Sequence, residues 1–137
     1  MKFKGEEIQR LIPQRKPFVM VDELEQRDDN TAATALTIRR DNYFLLSDGT
    51  LAETGVIEHV AQSCSALAGC RSTGDNPPIG MIVEIKNCLF SRRPLSGEKI
   101  ETLVTFGFSF GNMTLAHGVS SVNGSQIAEM DLKIFIR

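Results

Sequence analysis

The chain has 137 residues, a formal net charge of −2 and 42% hydrophobic residues, which predicts one globular domain spanning residues 1–137. Its basic residues form no run longer than a pair, which argues against a nucleic-acid partner. A polar N-terminus, no apolar run as long as a membrane span and an odd number of cysteines predict a cytoplasmic protein without a membrane partner.

The first part of the chain is predicted to contain a short helix and two strands. The helix covers Gly5–Leu11 and ends at Pro13, because proline cannot continue a helix. The strands cover Phe18–Gln26 and Thr31–Arg40, and the turn-forming sequence Asp28-Asp29-Asn30 separates them.

A helix over Gly55–Gly69 is apolar or small on almost every side, which indicates that it is buried in the protein. Its one polar stripe consists of Glu58, Gln62 and Ser65, at i, i+4 and i+7. A solvent-facing stripe would normally contain cations and several acids, whereas this one has a single carboxylate. Glu58 is therefore a candidate catalytic acid or base. The alternative is a structural carboxylate at the solvated rim of the helix.

A further strand is predicted from about Ile79 to Phe90, followed by a three-stranded meander. The segment Val104–Phe110 alternates strictly between apolar and small or polar residues, which is the period of a strand. Gly111-Asn112 and Asn123-Gly124 are two-residue turn sequences, and Asn-Gly is the strongest short hairpin signal.

The two turns predict which residues of the meander pair. The first hairpin would pair Phe110 with Met113, Phe108 with Leu115, Phe106 with His117 and Val104 with Val119. The second would pair Val119 with Ala128, His117 with Met130, Leu115 with Leu132 and Met113 with Ile134. This register would place the apolar residues on one face and the charged Glu129, Asp131 and Lys133 on the other. His117 would then be a neutral core histidine.

These elements predict an α+β fold, a single hotdog domain in which an antiparallel sheet wraps around one long central helix. Small residues in the helix would let the strands approach closely. Such a sheet leaves an edge strand with which a second copy can pair.

Four motifs in order along nearly the whole chain resemble those of one enzyme family. They are Leu11–Asp22, Glu58–Gln62, the set Gly80, Phe90, Arg93-Pro94 and Gly97, and finally Val122–Glu129. In order and spacing they resemble the 3-hydroxyacyl-acyl-carrier-protein dehydratases of fatty-acid synthesis. Within that family, Asp48–Leu51 followed by Ile57-Glu58 is most similar to the dehydratase-like proteins of aryl-polyene pathways.

The resemblance implies a division of catalytic roles. In the family, a histidine in the loop before the helix removes the α-proton of a 3-hydroxyacyl thioester. The helix carboxylate, contributed across the dimer interface and matched here by Glu58, protonates the leaving hydroxyl. Gly55 and Val56 lie where backbone N–H groups polarise the thioester carbonyl, and Gln62 is placed with them as a substrate-binding residue. The resemblance implies no metal or other cofactor.

The histidine of the family has no counterpart at its usual position. It would lie near Phe44, but residues 42–54 contain no histidine, and Gln14 stands where the N-terminal motif commonly has one. His59, which projects about 100° around the helix from Glu58, is one candidate replacement.

Other residues offer further candidates for the site. Asp41 and Asp48 lie in the loop that should carry the base, and four basic residues could dock an acidic carrier protein: Arg15, Lys16, Arg92 and Arg93. The alternative for these charges is ordinary solvated surface.

Three functions are compatible with these residues. The first is a dehydratase-like lyase acting on 3-hydroxyacyl thioesters of acyl carrier protein or coenzyme A, as a homodimer or as a heterodimer with a related hotdog chain. The second is a hotdog thioesterase that uses Glu58 and needs no histidine. The third is a non-catalytic subunit that binds the acyl carrier.

Overall fold

The computed structural model describes residues 1–72, 74 and 76–137. Its elements, in chain order, are β1 (Lys2–Lys4), a 3₁₀ helix (Gly5–Arg10), β2 (Glu23–Asp28), β3 (Thr31–Thr37), α1 (Glu53–Arg71), β4 (Gly80–Phe90), β5 (Lys99–Phe110), β6 (Met113–Val122) and β7 (Ser125–Ile136). In the described residues no helix is long and apolar enough to cross a membrane.

The seven strands of the described residues form one antiparallel sheet around α1. The strand order is β1-β2-β3-β5-β6-β7-β4, so β1 and β4 are the edges. The helix contacts every strand from β2 to β7. Six strands span about 25 Å and a helix is only about 10 Å wide, so the sheet must curve to make these contacts. This architecture confirms the predicted hotdog fold.

The core lies between the concave face of the sheet and α1. Four helix residues, Val56, Val60, Cys64 and Leu67, are completely buried there. Glycine brings β6 close to the helix, because a Cβ on Gly118 would lie only 2.6 Å from Val60 Cγ1. Glycine on the opposing strand thus adds to the close approach that the small residues of the helix predict.

The predicted register of the first hairpin is correct only next to its turn. Phe110 pairs with Met113 as expected, but Phe106 pairs with Ala116 and Val104 with Gly118. A bulge between Phe106 and Ser109 adds one residue to β5, and one extra residue moves the partner strand by one position. The predicted pairs of Phe106 with His117 and of Val104 with Val119 are therefore wrong.

The second hairpin contains a similar irregularity. Asn123 and Gly124 form the predicted turn, both with positive φ, as a type I′ turn requires. A register shift at Ser120 and Ser121 then changes every later pair. The observed pairs are Ser120 with Ala128, Gly118 with Met130, Ala116 with Leu132 and Thr114 with Ile134. The predicted pairs, which used the odd-numbered residues of β6, are wrong by one residue.

The two bulges decide which side of β6 faces the core. Its even-numbered residues are buried, whereas Leu115 is 39% exposed on the outer face. His117 also faces outward, between two carboxylates: Nδ1 lies 2.7 Å from Asp131 Oδ1 and Nε2 2.9 Å from Glu129 Oε2. The prediction of a neutral core histidine is wrong. The hydrogen bond with Asp131 instead raises the pKa of His117.

The N-terminal elements agree with the sequence in position but not in length. The 3₁₀ helix lies where a short helix was predicted, and β3 ends at Thr37 rather than Arg40. The predicted strand from Phe18 begins only at Glu23. The backbone groups of Phe18 and Met20 are instead hydrogen-bonded to side chains of α1.

Candidate active site at the start of the central helix

The first turn of α1 is anchored by charge. Ala52 is the N-cap residue, and its methyl side chain offers no capping group. Glu53 follows it, and a carboxylate is favourable at a helix N-terminus because that end carries partial positive charge. Arg93 Nε donates a hydrogen bond to Glu53 Oε1 at 2.9 Å. This ion pair ties the start of the helix to the turn before β5.

Phe44 packs against the same turn. A Cβ on Gly55 would lie 2.7 Å from Phe44 Cβ, so glycine permits this close approach. The backbone N–H of Phe44 donates to Asn42 Oδ1 at 2.8 Å, and its carbonyl accepts from Ala52 N–H at 3.1 Å. The region in which the resemblance would put a histidine is therefore occupied by an apolar ring packed on α1.

Glu58 is half-buried on α1, and Gln62 lies one turn further along the same face. Gln62 is 1% exposed. Its Nε2 donates to Glu58 Oε1 at 2.8 Å and to the Phe18 carbonyl at 2.7 Å, and its Oε1 accepts from the Met20 N–H at 2.6 Å. The amide thus holds one carboxylate oxygen of Glu58 and attaches residues 18–20 to the helix.

His59, next to Glu58, points into the core and is completely buried. Its Nδ1 lies 2.6 Å from the Met20 carbonyl and its Nε2 2.9 Å from Thr102 Oγ1, which in turn lies 2.7 Å from Ser120 Oγ. A carbonyl only accepts, so Nδ1 carries the proton and Nε2 accepts from the threonine hydroxyl. Burial lowers the pKa of His59 to about 4. Both ring nitrogens are engaged by the protein itself.

Phe18, Tyr43 and Phe44 form a cluster of aromatic rings. The ring centroids of Phe18 and Tyr43 are 4.9 Å apart and those of Tyr43 and Phe44 5.4 Å, both pairs meeting edge to face. Phe18 and Tyr43 are exposed. The Phe18 carbonyl and the Glu58 carboxylate share the Gln62 amide, so the backbone of Phe18 lies near Glu58.

The backbone N–H groups of the predicted substrate-binding residues already have partners. Gly55 N–H donates to the Ala52 carbonyl at 2.8 Å, and Val56 N–H donates to the same oxygen at 3.2 Å. Their role in binding a thioester carbonyl remains a prediction. A carbonyl at this end of the helix would share these donors with Ala52, in the field of the helix dipole.

The two aspartates of the preceding loop have surroundings of their own. Asp48 Oδ1 accepts from the Thr50 hydroxyl at 2.6 Å and from the Thr50 N–H at 3.0 Å. These hydrogen bonds lower the pKa of Asp48, and the bond from the Thr50 hydroxyl has the larger effect. Asp41 is exposed and lines a groove of about 420 Å³ that also contains Gln14, Lys16 and Arg39. Neither this groove nor a second one of about 540 Å³ on the outer sheet face includes Glu58.

Most of the basic residues predicted to dock a carrier are paired within the chain. Arg92 donates to both carboxylate oxygens of Glu98, at 2.9 and 3.1 Å. Arg15 donates to three backbone carbonyls in the segment 9–14. Arg93 pairs with Glu53. Lys16 is exposed at the mouth of the smaller groove. Among the described residues, no group of histidine, cysteine and acidic side chains could hold a metal ion.

Glu58 and Gln62 are predicted from the sequence, but the polar residues that surround His59 are not. Thr102 and Ser120 lie at inward-facing strand positions, where apolar residues are expected, and both are buried. Hydroxyl residues in phase with the buried side of a strand indicate that a polar group lies opposite. Met20 could not be found in this way, because it contributes only its backbone.

Comparison with known proteins identifies relatives over almost the whole chain. The family model of the ApeP-like proteins, described as ApeP dehydratase, matches residues 6–135. The 3-hydroxyacyl-[acyl-carrier-protein] dehydratase FabZ of Halalkalibacterium halodurans is 28% identical, with 96% of this chain and 97% of the relative covered. The corresponding FabZ of Sinorhizobium fredii is 29% identical, with 96% and 88% covered.

A solved structure confirms the fold. The dehydratase heterocomplex ApeI:P from Xenorhabdus doucetiae contains a chain that superposes with a TM-score of 0.86 at 20% sequence identity. The superposition covers 95% of this chain and 90% of that one.

Proposed function

Because the chain belongs to the ApeP-like family of dehydratases, we propose that it acts in the dehydration of 3-hydroxyacyl thioesters carried by acyl carrier protein. The observation that carries this proposal is the half-buried carboxylate of Glu58, held on α1 through one oxygen by the Gln62 amide. In this proposal the other oxygen, Oε2, faces the substrate.

In this proposal Glu58 supplies the proton for the leaving hydroxyl. Elimination of water breaks the C–O bond at the 3-position, and a carboxylic acid beside that oxygen protonates it as it leaves. The thioester carbonyl lies at the N-terminus of α1, near Gly55 and Val56, where the helix dipole favours the negative charge that develops on the oxygen. Gln62 keeps the acid in position.

The base that removes the α-proton comes, we propose, from a second chain. In the described residues, the polar contacts of the Glu58–Gln62 pair are backbone groups of residues 18 and 20. His59 has both ring nitrogens occupied, and Asp48 is bound to its own turn. A related hotdog chain that supplies a histidine would complete the site. The structurally similar ApeI:P from Xenorhabdus doucetiae is a dehydratase heterocomplex, which supports this arrangement.

The edge of the sheet offers a surface for that second chain. Strand β4 pairs with β7 on one side and is free on the other. Met81, Val83 and Leu89 on this strand are 54–66% exposed. An exposed apolar edge strand is normally covered, and we propose that a hotdog partner covers it. The thiols of Cys64, Cys70 and Cys88 are free, which fits a reducing cytoplasm.

One observation favours a second candidate function. A hotdog thioesterase needs only a helix carboxylate to activate water or attack the thioester, and Glu58 on α1 supplies one. Because this chemistry requires no histidine, the lack of a histidine in residues 42–54 favours it. A carrier-binding subunit without catalysis is the remaining alternative.

The three functions differ in the product formed from defined substrates. The chain is incubated, alone and with a related hotdog partner, with a 3-hydroxyacyl thioester and with a saturated acyl thioester of acyl carrier protein. Formation of an enoyl thioester supports the proposed dehydratase, and release of free thiol from the saturated substrate supports the thioesterase. Binding of the acyl carrier protein without either product supports the non-catalytic subunit. Glu58→Gln is the control, because it keeps the size of the side chain and removes its acid.

A further inference from the structure

His59 and Gln62 hold the backbone of Met20 from two sides. The Met20 carbonyl accepts from His59 Nδ1 and the Met20 N–H donates to Gln62 Oε1, both at 2.6 Å. Met20 is 1% exposed, so neither group can exchange its partner for water. A shift of Met20 would therefore displace the Gln62 amide that holds Glu58.

The other side of the His59 ring is anchored in the sheet. Thr102 on β5 donates to Nε2, and Ser120 on β6 lies within hydrogen-bond distance of Thr102. The backbone carbonyl of His59 also accepts from Ser63 Oγ at 2.7 Å, and Ser63 contacts Thr34 on β3. Strands β5 and β6 thus anchor the Nε2 side of the ring, and Ser63 connects the His59 backbone to β3.

We propose that His59 is a positioning residue, whose Nδ1–H fixes Met20 and through it the amide of Gln62 and the carboxylate of Glu58. The catalytic part of this inference rests on the proposed function. Its structural part does not, because it concerns hydrogen bonds that exist without substrate.

The geometry requires one tautomer. With Nδ1 against a carbonyl, which only accepts, a neutral ring must carry its proton on Nδ1, and Nε2 then accepts from the hydroxyl of Thr102. The low pKa of about 4 agrees with a ring that stays neutral near pH 7. An acid–base catalyst would instead need a free nitrogen and would change its protonation state during turnover.

The tautomer can be measured on the wild-type protein. Nitrogen NMR of ¹⁵N-histidine-labelled protein should show His59 as the Nδ1–H form, without titration between about pH 5.5 and 8, the range in which an exposed histidine titrates. His117, outside the core, should titrate in the same spectra and serves as the internal reference. An Nε2–H form, or titration of His59 in this range, would overturn the proposal without any variant.

Two substitutions separate the two ring nitrogens. The amide of asparagine in His59→Asn can occupy the place of Nδ1 and keep the bond to Met20. The longer glutamine of His59→Gln places its amide near Nε2 and loses that bond. We expect His59→Asn to keep most of kcat and His59→Gln to lose on the order of 10²-fold in kcat, the effect of a small displacement of a catalytic group, with a smaller change in KM.

The Gln62 side chain supplies a readout that does not depend on activity. Its amide N–H resonances should move in His59→Gln and stay in place in His59→Asn. Cys64→Ala is the control for general destabilisation, because Cys64 is equally buried one turn further on α1 and has no bond to residues 18–20. It should lower the melting temperature and leave both kcat and the Gln62 resonances unchanged.

Each result decides the proposal. The proposal would be overturned by a wild-type kcat in His59→Gln or by an equal loss of kcat in both His59 variants. It would also be overturned if Cys64→Ala shifted the Gln62 amide resonances as His59→Gln does. If the wild-type protein dehydrates no 3-hydroxyacyl thioester with any partner, the proposed function fails, while the tautomer and the Gln62 resonances still test the role of His59.

Discussion

The contact between Gly118 and Val60 gives a quantitative prediction about the core. A Cβ at position 118 would lie 2.6 Å from Val60 Cγ1, well inside the contact distance of two carbon atoms. Relief requires the helix and β6 to separate or Val60 to leave its rotamer, and such overpacking costs about 1–3 kcal/mol. Replacing a strand glycine with alanine also stabilises the fold by about 0.5–1 kcal/mol, because alanine loses less backbone entropy on folding. Gly118→Ala should therefore lower the free energy of unfolding by about 1 kcal/mol, and by at most about 2.5 kcal/mol.

The prediction is tested by chemical denaturation of four proteins: wild type, Gly118→Ala, Val60→Ala and the double variant. Val60→Ala alone should cost about 1.5–3 kcal/mol, because it removes two buried methyl groups. In the double variant the new methyl occupies space left by Val60 Cγ1, so it should be more stable than the sum of the single changes by about 1 kcal/mol or more. Additive single changes would refute the proposed contact.

Gly107 provides the matched control on the neighbouring strand. A Cβ there would have as its nearest atom the Leu115 carbonyl oxygen, at an ordinary 3.7 Å. Gly107→Ala should therefore leave stability unchanged or raise it by up to about 1 kcal/mol. A loss equal to that of Gly118→Ala would show that the sheet disfavours alanine generally.

Three further predictions concern the site and the two faces of the sheet. Glu58→Gln should lower turnover on a 3-hydroxyacyl thioester by about 10²-fold or more with little loss of stability; full activity would exclude Glu58 as the acid. Met130→Ala, at a completely buried position, should cost about 2–5 kcal/mol, whereas Leu115→Ala on the outer face should cost well under half of that; equal losses in denaturation would contradict the observed register. The raised pKa of His117 beside Asp131 stabilises the fold fully below the unfolded value of about 6.5 and loses that contribution as pH rises through the folded pKa. The difference in melting temperature between wild type and His117→Gln should therefore shrink from pH 6 towards pH 9, and a difference independent of pH would refute this.

The sequence was sufficient for the fold but not for the register of its last three strands. Asn123-Gly124 specifies a turn locally, so the second hairpin could be located from two residues. The bulge in β5 depends on how the sheet curves around α1. That curvature cannot be predicted from the residues next to the bulge. The sequence does contain one signal for the register of β6: Ala116, Gly118 and Ser120 are small, and a helix that approaches closely needs small residues opposite it.

The candidate site also contains one part that the sequence predicts and one part that it does not. Glu58 and Gln62 share one face of a single helix, so the helical period was enough to pair them. His59 follows Glu58 in the sequence but points towards Thr102, 43 residues away along the chain. Contacts of that kind depend on the assembled fold, and the identity of a histidine alone does not distinguish a catalytic ring from a structural one.

The packing of Phe44 on Gly55 limits which side chains position 44 can hold. An apolar side chain that packs on a helix attaches the loop that carries it to the hydrophobic core. A histidine at position 44 would keep an aromatic ring beside Tyr43 but would place a polar imidazole against the apolar groups that pack there. Burying a polar group without a hydrogen-bond partner costs stability. A base at position 44 would therefore need a new hydrogen-bond partner in the loop or in the first turn of α1.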